Sequence, residues 1–148
     1  MYGRIYTCKS MQSVKGLGMM PKRIVIVDDD REVREILAFV LVRYGFEVEC
    51  AKDGSQLQQL LAPVHGPLPD LIILDVMMPG EDGYHICRGL HEDGRTRHIP
   101  VIIVTARAEH IYERISEDLG AALHITKPFH PFELVERVQT LVGSSEQF

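Results

Sequence analysis

The sequence predicts an α/β fold, a doubly wound parallel sheet of five strands with five helices. Strand-like and helix-like segments alternate five times over residues 23–142, the pattern of a parallel sheet with helices on both faces and right-handed crossovers. Two strand-like segments, 71–75 and 99–105, are almost unbroken apolar runs, as expected of strands buried on both faces. Several strand segments also end at a carboxylate, hydroxyl or ammonium side chain, and a parallel sheet gathers such ends at one edge.

Composition narrows the class of protein. The 148 residues suit one domain with a sizeable core, and 45% hydrophobic and 25% charged residues are ordinary for a soluble globular protein. The net charge of -5 argues mildly against non-specific nucleic-acid binding. The chain has three cysteines, Cys8, Cys50 and Cys87, which is an odd number and includes no CxxC pair. We therefore expect reduced thiols, with Cys50 and Cys87 filling the core. Neither a membrane-spanning run nor a signal peptide is visible, which predicts a cytoplasmic protein without a membrane segment.

Residues 1–22 show no clean periodicity and are predicted to form a flexible, basic N-terminal extension. One interpretation is a docking arm for an acidic partner. The favoured interpretation is that the natural start lies at Met19 or Met20, downstream of the first residue of the sequence.

The first strand–helix unit has clear boundary signals. A β-branched strand is predicted over 23–28, and Asp30 is placed to cap the helix that follows over 31–44. Gly45 closes that helix as a glycine just past its end. The helix has an apolar stripe at helical spacing, formed by Val33, Ile36, Leu37, Val40 and Leu41.

The remaining elements follow the same alternation. Residues 46–51 alternate apolar and polar side chains, which predicts a half-exposed strand at or near an edge, and Asp53 or Ser55 begins a second helix through Leu61. Pro79-Gly80 starts a turn after the third strand. The other predicted elements are strands over 71–75, 99–105 and 123–126 and helices over 82–91, 109–119 and 131–141, with a C-terminal tail over 143–148.

Five side chains at the strand ends suggest a chemical site: Asp28, Asp29, Asp75, Thr105 and Lys127. Crowded carboxylates raise one another's pKa unless a cation neutralises them, and Mg²⁺ is a divalent ion that prefers oxygen ligands. Lys127 adds a second positive charge and Thr105 a hydroxyl. This set suits phosphoryl transfer, with Asp75 as a nucleophile that forms an aspartyl phosphate. Each residue alone has an ordinary structural explanation, but their occurrence at successive strand ends favours the site.

Four stretches together carry a family resemblance over about residues 22–142. The chain resembles the receiver domain of two-component response regulators, which implies a flavodoxin-like fold with strand order 2-1-3-4-5. The matching stretches are Ile24-Val25-Ile26-Val27-Asp28-Asp29-Asp30, Leu74-Asp75-Val76-Met77-Met78-Pro79-Gly80 with Asp82-Gly83, Val104-Thr105-Ala106 and Ile125-Thr126-Lys127-Pro128-Phe129.

The resemblance implies a metal site and an acceptor. Asp75 resembles the phospho-acceptor and also belongs to the metal site. Asp29 resembles the direct ligand of Mg²⁺, with Mn²⁺ as an alternative ion, and Asp28 holds the metal mainly through water. The backbone carbonyl of Met77 completes the set.

It also implies the residues that respond to the phosphoryl group. Thr105 resembles the switch hydroxyl and Lys127 the phosphate-binding lysine, while the small Ala106 leaves the pocket open and Pro128 follows a cis peptide bond. The family usually has Tyr or Phe three residues before the lysine, whereas this chain has His124. This departure puts the usual coupling of Thr105 to an aromatic rotamer in doubt; it is either ordinary variation, the favoured interpretation, or a source of pH sensitivity.

The resemblance also implies that Met77 and Arg107 flank the approach of water and set the lifetime of the phosphoryl group. Met77 cannot orient water by a strong hydrogen bond, which predicts slow self-dephosphorylation. The protein is therefore expected to assist its own phosphoryl transfer rather than to act as an enzyme on a separate substrate.

The function implied by the resemblance is signalling. A sensor histidine kinase or phosphotransfer protein would phosphorylate Asp75, and the face of the fourth helix, fifth strand and fifth helix, about 107–141, would meet an output protein. We expect no direct DNA or membrane binding and either a monomer or a phosphorylation-dependent dimer. The alternatives are a receiver fragment of a longer transcriptional regulator, a phosphorylation-independent binding module, and a Mg²⁺-dependent phosphohydrolase, which normally needs a second acid where Met77 stands.

Overall fold

The computed structural model describes residues 20–107 and 110–143, excluding the side chain of His110. Its main sheet has five parallel strands: β1 (Arg23–Val27), β2 (Glu47–Ala51), β3 (Leu71–Asp75), β6 (Val101–Thr105) and β7 (Leu123–Thr126). Their spatial order is β2-β1-β3-β6-β7. Counted along the main sheet alone this is 2-1-3-4-5, so the predicted fold class and strand order are confirmed.

Two very short strands, β4 (Met77–Met78) and β5 (Glu81–Asp82), form an antiparallel hairpin after β3. The sequence predicted only a turn at Pro79-Gly80. The turn is present, with Gly80 at a φ of 73°, a left-handed conformation that glycine adopts without steric penalty.

Helices cover both faces of the sheet, as predicted. They are α1 (Arg31–Arg43), α2 (Gly54–Leu61), α3 (Gly83–Glu92), α4 (His110–Asp118) and α5 (Pro131–Val142), with a 3₁₀ turn at Pro63–His65. The helices α1 and α5 enclose one apolar cluster and α2 and α3 the other, while α4 packs beside β7. None of the helices in 20–107 and 110–143 combines the length and apolar character needed to cross a membrane.

The position of β3 and β6 in the core explains why their sequences are almost entirely apolar. Every residue of β3 and β6 is buried, because each strand lies inside the sheet and has helices on both sides. Alternate residues of β3 therefore enter opposite clusters, with Ile73 facing α1 and α5 and Ile72 facing α2 and α3. Cys50 and Cys87 are buried in these clusters, which confirms their predicted place in the core.

Polar side chains set the helix starts near the carboxyl edge of the sheet. Asp30 accepts a hydrogen bond from the Glu32 amide at 2.9 Å, which confirms its predicted capping role. Asp53, rather than Ser55, caps α2 by accepting from the Gln56 amide at 2.8 Å. Gly45 follows α1 with a φ of 92°, as expected of a glycine that ends a helix.

Two predictions about exposure were wrong. The strand β2 lies at the sheet edge as expected, but four of its five residues are buried rather than half of them. Its Glu49 is accommodated because it bonds to Arg23 at 2.7 Å and to His65 at 2.8 Å. In α1, Arg34 is buried instead and Ile36, assigned to the apolar stripe, is 52% exposed.

The predicted terminal segments lie mostly outside the described residues. Of the extension assigned to 1–22 only residues 20–22 are described, without helix or strand, and of the tail assigned to 143–148 only Gly143 is described.

Candidate functional site

Three carboxylates converge at the carboxyl edge of the sheet. Asp28 and Asp29 follow β1 and Asp75 ends β3, and one oxygen from each lies within 4.8 Å of the others. Asp28 and Asp75 are only 3% and 4% exposed, whereas Asp29 faces solvent. The convergence predicted from the strand ends is therefore present, with one of the three acids open to an incoming ligand.

Lys127 joins this acidic pocket from the loop after β7. Its Nζ lies 3.1 Å from Asp28 Oδ2 and 3.6 Å from Asp75 Oδ2. The Lys127 amide also donates to the Thr105 carbonyl at 2.7 Å, and the following bond to Pro128 is cis, as expected. The lysine is thus placed by backbone contacts rather than by its own flexible side chain alone.

Burial disfavours the charged forms of Asp28 and Lys127, whereas the attraction between these two residues favours them. Burial raises the pKa of Asp28 above its usual value, and the negative charge of Asp75 raises it further, although the Asp30 amide and Lys127 act the other way. Burial disfavours the charged form of Lys127, but attraction to Asp28 and Asp75 outweighs it and raises the pKa of the lysine. The positive charge within the pocket is therefore not enough to offset the unfavourable effect of burial on the ionised form of Asp28.

The residues present fit a divalent cation that prefers oxygen ligands. Three carboxylates lie around one ammonium group, and the pKa of Asp28 is raised by burial first and by the negative charge of Asp75 second. The Met77 amide donates to Asp75 Oδ1 at 3.0 Å, which places the Met77 backbone directly beside the Asp75 carboxylate. Ligands of this kind bind Mg²⁺ and other hard divalent ions.

Thr105 and His124, the two predicted switch residues, contact different parts of the structure. Thr105 ends β6, is fully buried, and its Oγ1 accepts from the Arg107 amide at 3.2 Å. His124 lies on β7 opposite Ile103, and its Nδ1 is 3.0 Å from Ser116 Oγ on α4. The structure therefore brings Asp28, Asp29, Asp75 and Lys127 together but pairs His124 with α4.

Met77 and Arg107 line an open cavity beside the acidic pocket, together with Tyr84. The Arg107 guanidinium lies 4.7 Å from the centre of the Tyr112 ring, and that ring stacks on Tyr84 at 6.5 Å with 20° between the planes. Arg107 is thus directed toward α4, an arrangement that the sequence did not predict. The Tyr84 hydroxyl is buried. Burial raises the pKa of Tyr84, and the neighbouring Arg107 guanidinium opposes that rise.

Sequence reasoning missed three residues that hold the pocket in place. The Arg34 Nη1 donates to the Asp28 carbonyl at 2.7 Å, and Glu81 Oε1 accepts from the Gly54 amide at 2.8 Å, which ties the hairpin to the start of α2. At Gly83, an added Cβ would lie 2.3 Å from Val76 Cα and 2.9 Å from the Asp75 carbonyl. Only the glycine carried a sequence signal, because a glycine at a helix start can indicate close backbone approach.

The fold and the pocket define a class of protein: a flavodoxin-like α/β domain with an acidic site for a divalent cation at the carboxyl edge of its sheet. Residues 24–139 match the family model described as the response regulator receiver domain. The chain belongs to this family, and the resemblance drawn from its motifs is confirmed.

Solved structures agree with this assignment. A candidate response regulator from Chloroflexus aurantiacus J-10-fl is 36% identical, with a TM-score of 0.76 over 83% of this chain and 98% of that one. The BeF3-activated N-terminal receiver domain of RstA from Klebsiella pneumoniae is 29% identical, with a TM-score of 0.71 over 82% and 98% of the two chains. The chemotaxis response regulator CheY4 of Vibrio cholerae is 26% identical, with a TM-score of 0.72 over 82% and 99%.

Proposed function

We propose that Asp75 accepts a phosphoryl group from a phosphohistidine of a sensor histidine kinase or phosphotransfer protein, and that the resulting aspartyl phosphate controls binding to an output protein. The observation that supports this most is the convergence of Asp75 with Asp28, Asp29 and Lys127 in one pocket. Membership of the receiver family supports it further.

The transfer is a displacement at phosphorus. A carboxylate oxygen of Asp75 forms the new O–P bond while the P–N bond to the donor imidazole breaks, and the histidine nitrogen keeps the electron pair and later takes a proton. Lys127 Nζ would bind a phosphoryl oxygen, and its distance of 3.6 Å from Asp75 Oδ2 supports this role. The Met77 amide holds the other carboxylate oxygen, so the nucleophile has a fixed orientation.

Asp28, Asp29, Asp75 and the Met77 carbonyl would hold Mg²⁺, with Mn²⁺ as an alternative. The ion, when bound, neutralises charge on the phosphoryl oxygens. Without a cation, the neighbouring acids oppose an anionic donor, and burial of Asp28 and Asp75 strengthens that opposition because less solvent screens their charge. We therefore expect phosphorylation to depend on a divalent cation.

The signal would leave through the face formed by α4, β7 and α5. The new negative charge attracts Lys127 and the Thr105 hydroxyl and shifts a pre-existing equilibrium. On this face Ile111 is 57% exposed, an apolar contact available to a protein partner. In this proposal the domain is cytoplasmic, binds neither DNA nor membrane directly, stays monomeric or dimerises on phosphorylation, and is not an enzyme for a separate substrate.

Intact-protein mass spectrometry after treatment with acetyl phosphate and Mg²⁺ tests the acceptor. We expect one added phosphoryl group on the wild type, none on Asp75→Asn, and normal addition on the control Asp118→Asn, which alters an exposed aspartate on α4. A phosphoryl group that survives in Asp75→Asn would refute the assignment. Failure of the wild type to take it up, combined with no binding of BeF₃⁻ and Mg²⁺, would favour a phosphorylation-independent binding module.

The lifetime of the phosphoryl group gives a second test. Met77 is 46% exposed beside the pocket, and its thioether cannot orient an attacking water strongly. We expect slow self-dephosphorylation that Met77→Asn accelerates, measured by loss of the phosphorylated mass with time. A half-life of seconds in the wild type that Met77→Asn leaves unchanged would contradict this reasoning. Turnover of a generic phosphomonoester would instead point to a phosphohydrolase.

A further inference from the structure

Ser116 makes two hydrogen-bond contacts with a single hydroxyl group. Its side chain lies on α4 and is fully buried. The Ser116 Oγ lies 2.9 Å from the Tyr112 carbonyl one helical turn earlier and 3.0 Å from Nδ1 of His124 on β7. These contacts join the helix α4 to His124, which lies three residues before Lys127 at the position where the family usually has Tyr or Phe.

Counting protons decides the direction of both bonds. A carbonyl oxygen can only accept, so the single hydroxyl proton of Ser116 is donated to Tyr112. Ser116 Oγ can then engage His124 only as an acceptor, which requires a proton on Nδ1. With the hydroxyl proton assigned to the Tyr112 carbonyl, a neutral His124 carries its proton on Nδ1 and leaves the lone pair on Nε2.

We propose that Ser116 is a positioning residue for His124: it fixes the imidazole in the Nδ1–H tautomer against α4 and so restrains the receiver switch. The restraint is specific to histidine at this position, because neither Phe nor the distant hydroxyl of Tyr could place a donor where Nδ1 lies. His124 can leave this orientation only if the bond to Ser116 breaks or α4 moves with it.

The same helix is also linked to the switch threonine. The Arg107 amide donates to Thr105 Oγ1 at 3.2 Å, and the Arg107 guanidinium rests on Tyr112, whose carbonyl receives the Ser116 hydroxyl. Movement of Thr105 toward a phosphoryl group at Asp75 would disturb this chain of contacts. This second part of the inference rests on the proposed function, whereas the tautomer of His124 does not.

Nitrogen-15 NMR of histidine side chains, at a pH above the ordinary histidine range, tests the tautomer. In the wild type we expect His124 to show a pyrrole-like Nδ1 and a pyridine-like Nε2, and in Ser116→Ala we expect the Nε2–H form to gain population by about 2- to 12-fold. Thr140→Ala is the matched control, because Thr140 makes the same kind of bond to the Glu136 carbonyl at 2.9 Å without a histidine. A pyridine-like Nδ1 in the wild type would overturn the proposal.

Titration with BeF₃⁻ in the presence of Mg²⁺ tests the restraint. Loss of one hydrogen bond that favours the present orientation should raise the apparent affinity of Ser116→Ala for the mimic by about 2- to 12-fold, and Thr140→Ala should match the wild type. Unchanged affinity in Ser116→Ala would refute the restraint even if the tautomer is as expected. If the wild type binds no BeF₃⁻, the proposed function fails, and the tautomer measurement still decides the contact between Ser116 and His124.

Discussion

Replacing Gly83 with alanine should damage the fold at the point where Asp75, the proposed phospho-acceptor, is held. The new Cβ would lie 2.3 Å from Val76 Cα and 2.9 Å from the Asp75 carbonyl. Both are backbone atoms, so no side chain can rotate away, and α3 must shift instead. Overpacking of this kind costs about 1–3 kcal/mol, and the gain in helix propensity, about 0.5–1 kcal/mol in a helix interior, is smaller at a first helical position.

Gly89 in the same helix provides the matched control. It is exposed and an added Cβ would have no neighbour within 4 Å, so Gly89→Ala should stabilise the domain by about 0.5–1 kcal/mol through helix propensity alone. The two substitutions are chemically identical and differ only in what surrounds the new methyl group. We therefore expect their unfolding free energies to differ by about 1–4 kcal/mol, with Gly83→Ala the less stable.

Urea denaturation at equal protein concentration measures this difference, and a Mg²⁺ titration of the folded variants adds a functional reading. The shift of α3 in Gly83→Ala should also displace the Met77 peptide, which bonds to Asp75, and weaken Mg²⁺ binding. Gly89→Ala should bind Mg²⁺ like the wild type. The reasoning is wrong if Gly83→Ala is as stable as Gly89→Ala, since the close approach at Gly83 would then have no energetic consequence.

Three further predictions concern buried ionisable groups. Because burial raises the pKa of Asp28, the folded state binds the Asp28 proton more tightly than the unfolded state does. Without Mg²⁺, the contribution of Asp28 to stability therefore falls as pH rises from about 3.8 through the raised pKa of the folded state. In thermal unfolding at neutral pH, Asp28→Asn should therefore be more stable than the wild type. Either acidification or added Mg²⁺ should reduce this difference in stability between the two proteins. A variant less stable than the wild type would contradict the reasoning. Burial raises the pKa of Cys87 to about 11, so a thiol reagent at mildly alkaline pH should label it only in denaturant, and rapid labelling of the native protein would contradict this. Glu49→Ala should lower the unfolding free energy by about 2 kcal/mol, because Arg23 and His65 lose their shared carboxylate; an unchanged urea midpoint would show that water replaces the carboxylate without penalty.

Local rules predicted the parts of the fold that depend on nearby residues. The strand β3 was evident because a strand with helices on both faces must be apolar throughout, and Asp30 and Gly45 marked the ends of α1 through their own backbone preferences. The pocket was predicted for a related reason. Parallel strands bring their carboxyl ends together, so Asp75 and Lys127 could be placed at one edge without knowledge of any side-chain contact.

Features that depend on distant partners could not be predicted. The alternation in β2 suggested that Glu49 faces water, yet it is buried because two residues from other elements satisfy its carboxylate: Arg23 forms an ion pair with it and His65 forms a hydrogen bond. Likewise, the stripe of α1 included Ile36, whereas Arg34 is buried because its guanidinium reaches the Asp28 carbonyl. The pairing of Ser116 with His124 joins a helix to a strand and has no sequence pattern of its own.

The hairpin beside Asp75 has a thermodynamic consequence. Two contacts hold it in place. Glu81 accepts a hydrogen bond from the first amide of α2, and Gly83 lies against the Asp75–Val76 backbone. The conformational entropy of this loop is therefore lost during folding, not when an ion or phosphoryl group binds. Ligand affinity and folding stability thus depend on the same contacts. A substitution that loosens the hairpin would therefore lower both the affinity for the ligand and the stability of the fold.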